Sequence, residues 1–423
     1  MRYEMEACLR RRAAPNIRRT NRINNINNIS NISNISNISN ISNISNISNI
    51  SNISNISNIS MELPATYKAA VYDEPGTIST KVVELPIPEP GEGEVLVRIT
   101  HSGVCHSDMG IMMNSWATLP FPTPKGQVGG HEGVGEIVKL GTGVESSGLS
   151  LGCRVGIKWL AKICGECEAC KVNSDGSCFK PAISGYCTPG TFQQYAVGPA
   201  NYVTPIPDGL SSVDAAPMLC AGITMYAAIQ RSKARSGQWI VISGAGGGLG
   251  HIAVQIASKG LGLRVVGIDH GSKADLVRKS GAEHFIDITQ FPHDDDHIAI
   301  TKQVKSLCDG IGAHAVVVCT ASNIAYTQAL GFLRFEGIAV CVGLPEHESA
   351  PIANAFPAKL IAGQLTITGS AVGNRADAEA VLEMAAKGVI KSHSSVRKLD
   401  QLTSVFKEME EGKHQGRVVL DLW

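Results

Sequence analysis

The sequence predicts an α/β protein with two domains, one rich in β-strands and one built on a doubly wound parallel sheet. From Tyr67 to about Ile206, short β-like runs alternate with turns rich in glycine and proline, which is typical of a compact, partly antiparallel β domain. From Trp239 onward, continuous apolar strands alternate with helical segments, which indicates a parallel sheet covered on both faces. Residues 61–423 are numerous enough to form both domains.

The first sixty residues differ from the rest of the chain. From Asn28 to Ser60 the triplet Asn-Ile-Ser repeats without interruption, and such a tract lacks the variety from which a specific core is built. We therefore expect residues 1–60 to be a disordered extension. Residues 1–27 carry seven arginines and two acidic residues, which loosely resembles a mitochondrial presequence. The alternative, which we favour, is that Met61 is the true first residue and the extension is absent from the mature protein.

The amino-acid composition indicates which binding partners and which cellular compartment to expect. The chain has 37 basic and 37 acidic residues, a balance that argues against nucleic acid or a membrane surface as the main partner. No apolar run approaches the roughly 18 residues that a membrane-spanning helix needs. Twelve cysteines without a secretory signal, half of them at metal-ligand positions, favour a reducing compartment. We expect a cytoplasmic protein, or a mitochondrial-matrix protein if the arginine-rich start is real.

The domain boundaries follow the changes in pattern. We expect the β-rich domain at 61–218, the parallel-sheet domain at 219–369 and a return to the first domain at 370–423. The final run, 416–421, is expected to be an edge-like strand that rejoins the first domain, so the two domains are interleaved in sequence. Strands of the second domain are expected at 239–243, 263–268, 315–319, 338–342 and 365–368, with helices at about 248–259, from about 273, and near 376–388.

A candidate metal site lies in two short segments, S-G-V-C-H-S-D at 102–108 and G-G-H-E-G at 129–133. Zinc prefers thiolate and imidazole ligands, and a catalytic zinc site uses three protein ligands and leaves the fourth position open. Cys105 and His131 would be two ligands, and Cys220, in P-M-L-C-A-G-I-T, would be the third. Taken singly, each residue is more often a buried thiol or a core histidine.

Three neighbouring side chains have expected roles in this site. Asp108 is placed to hold the second ring nitrogen of His131 and so fix its tautomer. Glu132 adjoins the histidine and could tune the ion or bind it transiently. Ser107 offers a hydroxyl that could accept the substrate proton, although a serine in this position is otherwise an ordinary loop residue.

A second metal site is predicted in a short loop where four cysteines have the spacing C-x2-C-x2-C-x7-C. Four thiolates close a tetrahedron and leave no open position, so this zinc would be structural. An iron–sulfur cluster is the alternative, but its bacterial pattern places the fourth cysteine after three residues and follows it with proline. Here the gap is seven residues and Phe179 follows. The four ligands would be Cys164, Cys167, Cys170 and Cys178.

A glycine loop, G-A-G-G-G-L-G at 244–250, follows the first strand of the second domain. The strict G-x-G-x-x-G frame does not fit, but a longer G-x-x-G-x-x-G frame on Gly244, Gly247 and Gly250 does. A helix begins in this loop, and helix N-termini bind pyrophosphate. Asp269 lies nineteen residues past Gly250, at the end of the next strand, where an acid binds ribose hydroxyls and repels a 2′-phosphate. The loop therefore predicts NAD in preference to NADP.

From about residue 65 to the C-terminus, these motifs resemble the zinc-containing medium-chain alcohol dehydrogenases, particularly the tetrameric fungal type. G-I-K-W at 156–159 and V-G-N-R-A-D at 372–377 add to the resemblance. It implies a GroES-like catalytic domain with a Rossmann domain, one catalytic and one structural zinc per subunit, NAD, and a homotetramer. It also implies reversible hydride transfer between NAD and a small primary alcohol such as ethanol, which gives the aldehyde and NADH.

The resemblance further assigns individual contacts. His106 and Arg417 match pyrophosphate contacts, and Asp269 and Lys273 match adenosine-ribose contacts. Trp116, Trp159 and Leu344 match positions that narrow the alcohol pocket, although either tryptophan could simply belong to the core. The other implied cofactor contacts are Gly244, Gly246, Gly247, Gly248, Leu249, Gly250 and Val342, together with Leu344.

One position departs from the family pattern. The fungal enzymes usually carry a histidine eight residues after the zinc cysteine, where it ends a proton relay, and this chain has Met113. The relay from Ser107 would then end directly on water.

Three rival functions stay open. They are a zinc polyol or secondary-alcohol dehydrogenase of the same fold, a zinc-free quinone or enoyl reductase, and a catalytically silent NAD-binding or structural protein. The tryptophans argue against the first rival, and a complete set of zinc ligands argues against the other two.

Overall fold

The computed structural model describes residues 63–116, 119–291, 297–346 and 350–423. The expectations for residues 1–60 and for a start at Met61 lie outside these ranges. All of the described residues belong to one compact unit, Met61–Trp423.

The strands and helices are numbered in chain order. The strands are Thr66–Tyr72 (β1), Thr80–Pro86 (β2), Glu94–Val104 (β3), Gly133–Leu140 (β4), Arg154–Ile157 (β5), Leu160–Lys162 (β6), Ala182–Ile183 (β7), Tyr195–Pro199 (β8), Thr204–Pro205 (β9), Trp239–Ser243 (β10), Arg264–Asp269 (β11), His284–Asp287 (β12), Ala313–Val318 (β13), Leu333–Cys341 (β14), Thr366–Gly369 (β15), Ser394–Lys398 (β16) and Arg417–Asp421 (β17). The α-helices are His106–Met112 (α1), Glu168–Lys171 (α2), Ser212–Ala215 (α3), Ala221–Arg231 (α4), Gly250–Gln255 (α5), Ala274–Ser280 (α6), Ile298–Leu307 (α7), Asn323–Phe332 (α8), Pro357–Gly363 (α9), Arg375–Ala386 (α10) and Leu402–Glu410 (α11).

The first domain is organised around β3. Its sheet has the order β16-β17-β3-β4-β5-β9, and β8 pairs with the first half of β3. The apolar residues Val95, Val97 and Ile99 alternate along β3 and are fully buried, because one face of the sheet packs on the domain core.

The C-terminal strand β17 rejoins this sheet, but the expectation of an edge strand is wrong. β17 pairs antiparallel with β3 on one side and parallel with β16 on the other. The strand β16 has no counterpart among the expected elements, and without it β17 would lie at an edge. Because β17 is internal, its residues Val418 to Leu420 are buried.

The second domain is a six-stranded sheet with the order β12-β11-β10-β13-β14-β15, and every pairing is parallel. This is the doubly wound order in which the first strand of one half, β10, pairs with the first strand of the other, β13, at the sheet centre. Alternate residues of β10 enter different cores: Ile240 and Ile242 pack on one face and Val241 on the other. Burial on both faces explains why the strand reads as a continuous apolar run.

Among the described residues, no single helix has both the length and the apolar character to cross a membrane. Two consecutive helical segments, Ser212–Leu219 and Ala221–Arg231, reach that length and composition only together, with a bend of 48° between them.

Candidate active site and metal centres

Three strands bring residues distant in sequence to one place. β3 ends at Val104, directly before Cys105. Its antiparallel neighbours begin at the same level, since Ser102 pairs with Gly133 of β4 and Val104 pairs with Val418 of β17. The residues that precede or begin these neighbours therefore lie beside the end of β3.

The backbone before β4 has a conformation that requires glycine. Gly130 has a φ of 93°, and a Cβ there would lie 2.7 Å from the Phe192 ring. Glycine thus allows the chain to turn immediately before His131.

Four side chains converge in the core and form what we call the cysteine–histidine cluster: Cys105, His131, Glu132 and Cys220. One donor atom from each lies within 4.8 Å of the others. All four residues are buried. Cys220 reaches the cluster from the junction between a 3₁₀ turn, Ala216–Leu219, and α4. The structure therefore brings together the three ligands expected from the sequence and the glutamate that was expected to tune the ion.

The donor set fits a zinc ion. His131 Nε2 and Glu132 Oε2 are buried without a hydrogen-bond partner in the described part of the chain, which leaves two lone-pair donors facing inward. The pKa of the Cys105 thiol lies well below its ordinary value, first because of a hydrogen bond with the Cys220 thiol and then because of nearby Arg417, although burial opposes the shift. A thiolate, an imidazole nitrogen and a second sulfur are the donors that a catalytic zinc site uses.

Asp108 orients two members of this cluster. Its Oδ1 accepts a 2.7 Å hydrogen bond from Nδ1 of His131, so Nε2 is the nitrogen left free for a metal. Its Oδ2 accepts a 2.9 Å hydrogen bond from the backbone N–H of Cys105, at the start of α1. Burial raises the pKa of Asp108, and the charge of His131 opposes that shift.

Glu132 and Arg417 form an ion pair inside the protein, with 0% and 5% of their side chains exposed. The guanidinium Nη2 donates to Glu132 Oε1. Burial raises the pKa of the Glu132 carboxyl, and the charge of Arg417 opposes the shift. Arg417 also lies against the glycine loop, because a Cβ on Gly248 would come within 3.0 Å of its Cδ. The residue expected to contact pyrophosphate thus spans the loop and the cysteine–histidine cluster.

Two tryptophans lie beside the cluster. The Trp159 ring meets the His131 ring edge to face at a centroid distance of 4.9 Å, and it meets the Trp116 ring at 6.3 Å. Trp116 packs on Gly110 of α1, where a Cβ would lie 3.0 Å from the indole. Both rings are half-buried. Ser107, also half-buried, lies in the first turn of α1, two residues after Cys105.

The glycine loop follows β10 and leads into α5. A Cβ on Gly250 would overlap the carbonyl oxygen of Gly244, so the helix can begin this close to the strand only with glycine there. Asp269, at the end of β11, accepts a 2.7 Å hydrogen bond from the N–H of Gly246 through its Oδ2. Lys273 Nζ lies 3.5 Å from Asp269 Oδ1. The Asp269 carboxylate and the Lys273 ammonium group therefore lie next to each other beside the glycine loop.

The remaining residues assigned to the cofactor lie farther from these contacts or have other partners. His106 Nε2 is 2.7 Å from Glu346 Oε1 at the surface. Leu344 is 47% exposed, while Val342 is half-buried against the second-domain core. Leu249 also packs against that core.

The four-cysteine loop forms a separate cluster. The sulfurs of Cys167 and Cys170 are 3.5 Å apart, those of Cys164 and Cys178 are 3.6 Å apart, and those of Cys164 and Cys170 are 3.9 Å apart. A zinc ion with Zn–S bonds of about 2.3 Å needs sulfurs about 3.8 Å apart in a tetrahedron. None of these cysteines is in a disulfide. The backbone N–H groups of Phe179 and Cys170 lower the pKa of Cys167 to about 6.

A doubly wound dinucleotide fold joined to a β domain that carries a cysteine–histidine cluster defines a zinc-type medium-chain dehydrogenase. The comparisons agree with this class. Residues 91–208 match the alcohol dehydrogenase GroES-like domain, and residues 248–387 match the zinc-binding dehydrogenase domain.

The chain aligns with nearly the whole length of two curated relatives. Alcohol dehydrogenase 2 of Emericella nidulans is 65% identical over 362 residues, which are 85% of this chain and 99% of the relative. The alcohol dehydrogenase of Schizosaccharomyces pombe is 42% identical over 364 residues, 86% of this chain and 99% of the relative. The chain belongs to the zinc-type medium-chain alcohol dehydrogenase family, and its dependence on NAD is consistent with that family.

Solved structures show the same fold. The alcohol dehydrogenase of Aeropyrum pernix has a TM-score of 0.73 at 28% identity and covers 84% of this chain and all (100%) of its own. Acetophenone reductase from Geotrichum candidum, solved in complex with NAD, has a TM-score of 0.72 at 27% identity and covers 85% of this chain and 98% of its own.

Proposed function

We propose that the protein oxidises small primary alcohols such as ethanol to the aldehyde, reversibly, with NAD as the hydride acceptor and two zinc ions per subunit. The observation that carries this proposal is the position of Trp159 and Trp116 beside the cysteine–histidine cluster. Two large rings next to the reacting centre leave room for a short, unbranched alcohol and disfavour a branched or secondary one.

The residues of the cluster have distinct tasks in this reaction. Cys105, His131 and Cys220 would hold the catalytic zinc, which supplies Lewis acidity that favours loss of the alcohol proton. Asp108 keeps the His131 ring in the tautomer with Nδ1 protonated. Ser107 accepts the substrate proton and passes it outward, a contribution of general base type.

The second domain binds and orients the dinucleotide. The N-terminus of α5 and Arg417 would receive the pyrophosphate, since both present positive charge beside the glycine loop. Asp269 would accept hydrogen bonds from the ribose hydroxyls and repel a 2′-phosphate. The dehydrogenase chemistry belongs to the cofactor, and the protein contributes orientation and exclusion of water.

The test is a substrate and cofactor panel on the full chain loaded with zinc. We expect NADH formation from ethanol, weaker activity with propan-2-ol and with a polyol, and little with NADP. The Cys220→Ser variant should lose activity, while Cys187→Ser, which changes an exposed thiol, should keep it. A preference for secondary alcohols or polyols would assign the site to the rival dehydrogenase, and no NADH with a full zinc complement would indicate a silent NAD-binding protein.

We also propose a homotetramer. Three large apolar side chains on neighbouring elements of the second domain support it: Phe335 is 56% exposed, Phe356 59% and Ile361 75%. They lie on or next to β14 and α9, beside the edge strand β15. Exposed apolar side chains that form a contiguous patch are typical of interaction surfaces. Light scattering coupled to size exclusion measures the mass directly, and a monomer at micromolar concentration would contradict the proposal.

For the compartment, we propose the cytoplasm, with the mitochondrial matrix as the alternative. The support is the cysteine-rich, disulfide-free composition of the described residues. Mass spectrometry of the native protein, with cell fractionation, distinguishes a chain that starts at Met61 from one processed after an arginine-rich leader.

A further inference from the structure

Lys158 is a buried lysine outside both metal clusters and the glycine loop. It directly follows β5, and only 4% of its surface is exposed. Its Nζ donates a 2.7 Å hydrogen bond to the carbonyl oxygen of Tyr202 and lies 3.5 Å from the centroid of the Tyr202 ring. A charged ammonium in this position gains from both contacts, because a ring face attracts a cation and a charge strengthens the hydrogen bond.

Tyr202 extends these contacts to the four-cysteine loop. Its hydroxyl donates a 2.9 Å hydrogen bond to Oδ2 of Asp175, and both residues are buried. Asp175 lies in the loop between Cys170 and Cys178. The Lys158 side chain is therefore tied to a rigid part of the domain.

The next residue along the chain is Trp159, which would line the substrate pocket in the proposed function. Its ring lies 4.9 Å from the His131 ring, and its carbonyl oxygen accepts a 2.9 Å hydrogen bond from the N–H of Ser184. Because Lys158 and Trp159 are consecutive, the backbone that carries the indole is fixed on one side by Ser184 and on the other by the Lys158 side chain.

Lys158 changes charge in the physiological range. Burial lowers its pKa to about 7; Asp175 and Glu379 oppose that shift, and Arg375 adds to it. The groups that face it are thus Tyr202, Asp175 in the four-cysteine loop, and Arg375 and Glu379 on α10. Below about pH 7 the side chain is an ammonium with both Tyr202 contacts, and above it a neutral amine retains only an ordinary hydrogen bond.

We propose that Lys158 is a positioning residue that holds Trp159 in place and that its charge controls how strictly the pocket excludes bulky alcohols. This inference rests on the proposed activity toward small primary alcohols. The charged side chain fixes the indole and keeps the pocket narrow. The neutral side chain lets the indole shift, so a branched alcohol enters more easily.

The test is the ratio of kcat/KM for ethanol to kcat/KM for butan-2-ol, measured from about pH 6 to about pH 8.5. A ratio cancels the titration of groups that act equally on both substrates, so it isolates the shape of the pocket. In the parent enzyme we expect the ratio to fall roughly threefold as pH rises through about 7.

Two variants give opposite expectations. Lys158→Met has no charge at any pH, so its ratio should be independent of pH and equal to the parent's high-pH value. Lys158→Arg stays charged, so its ratio should be independent of pH and close to the parent's low-pH value. Lys162→Met removes an exposed lysine nearby and should behave as the parent. If one of the two Lys158 variants fails to fold, the pH dependence of the other still tests the inference.

A parent ratio that does not change with pH, or a Lys158→Met ratio that titrates as the parent's does, overturns the inference. Either result requires measurable ethanol turnover. A parent that forms no NADH from ethanol overturns the proposed function instead, so the two failures are distinguishable.

Discussion

Glu132 and Arg417 are 285 residues apart in sequence and form a buried ion pair between the glycine loop and the cysteine–histidine cluster. Neither charge reaches solvent, so each depends on the other for compensation. The pair connects the strand that ends the chain to the loop that precedes β4. It therefore joins the part of the site that would hold zinc to the part that would hold the dinucleotide.

The first prediction concerns this pair. Arg417→Met leaves a buried carboxylate without a partner, and we expect it to lower the free energy of unfolding by about 3–5 kcal/mol. Glu132→Gln combined with Arg417→Met removes both charges and should recover much of that loss. Urea unfolding followed by circular dichroism measures both, with Arg397→Met on the adjacent strand as a control. A double variant no more stable than Arg417→Met alone would show that the charge is not the cause.

Asp108→Asn tests the orientation of His131. The amide has one acceptor oxygen and an NH2 group that donates, so it cannot accept from both His131 Nδ1 and the Cys105 N–H, and the ring is held less firmly. We expect zinc affinity at the catalytic site to fall roughly 10–100-fold. Zinc release to a colorimetric chelator measures this, and Asp208→Asn, at an exposed position, is the control. Equal release rates for the variant and the parent would contradict the role of Asp108.

The third prediction separates the two metal sites. Cys164→Ser removes one of four sulfurs in a closed cluster, so we expect zinc to fall from about two ions per chain to about one, with a lower melting temperature. The matched control is Cys187→Ser, whose thiol is exposed and outside both clusters. Elemental analysis and thermal unfolding provide the measurements. A variant that keeps the parent's zinc content would rule out a metal at this loop.

Asp269→Ser tests cofactor choice. Removing the carboxylate beside Lys273 abolishes repulsion of a 2′-phosphate and leaves the ammonium to attract it. The ratio of kcat/KM with NAD to that with NADP should fall by roughly tenfold, which corresponds to about 1.4 kcal/mol. Asp275→Ser changes an exposed acid on α6 and serves as the control. If both variants retain the parent ratio, another residue sets the preference.

Met113→His tests the proton path. Met113 follows α1 and is half-buried, so an imidazole there lies between the interior and solvent. We expect faster alcohol oxidation near neutral pH and weaker dependence on buffer concentration, because a histidine accepts and releases protons in this range. Met112→His is unsuitable as a control because Met112 is fully buried, so Met409→His on α11 is preferable. If the rate of alcohol oxidation does not rise and its dependence on buffer concentration does not change, Met113 does not interrupt a proton relay.

The sequence predicted the elements whose signals are local. β10 has the expected bounds, and β11 and β15 differ from expectation by a single residue at each end, because apolar runs buried on both faces are easy to recognise. Cys105, His131 and Cys220 were identified from residue type and neighbouring motifs.

Features that depend on distant partners were not predictable. β16 was missed because S-S-V-R-K is largely polar and gives no clear period. The pairing of Glu132 with Arg417 also has no local signal, since it arises only when β4 and β17 flank β3. His106 was assigned to pyrophosphate, and no pattern indicated its contact with Glu346.

The internal position of β17 also bears on the order of folding. Arg417 reaches Glu132 across a separation of 285 residues, and Trp423 donates its indole N–H to the carbonyl oxygen of Ile99 across 324. Contacts this distant in sequence carry the entropy cost of closing a long loop, whereas contacts within one strand or helix do not. The guanidinium that compensates Glu132 therefore reaches the interior only when β17 has docked between β3 and β16.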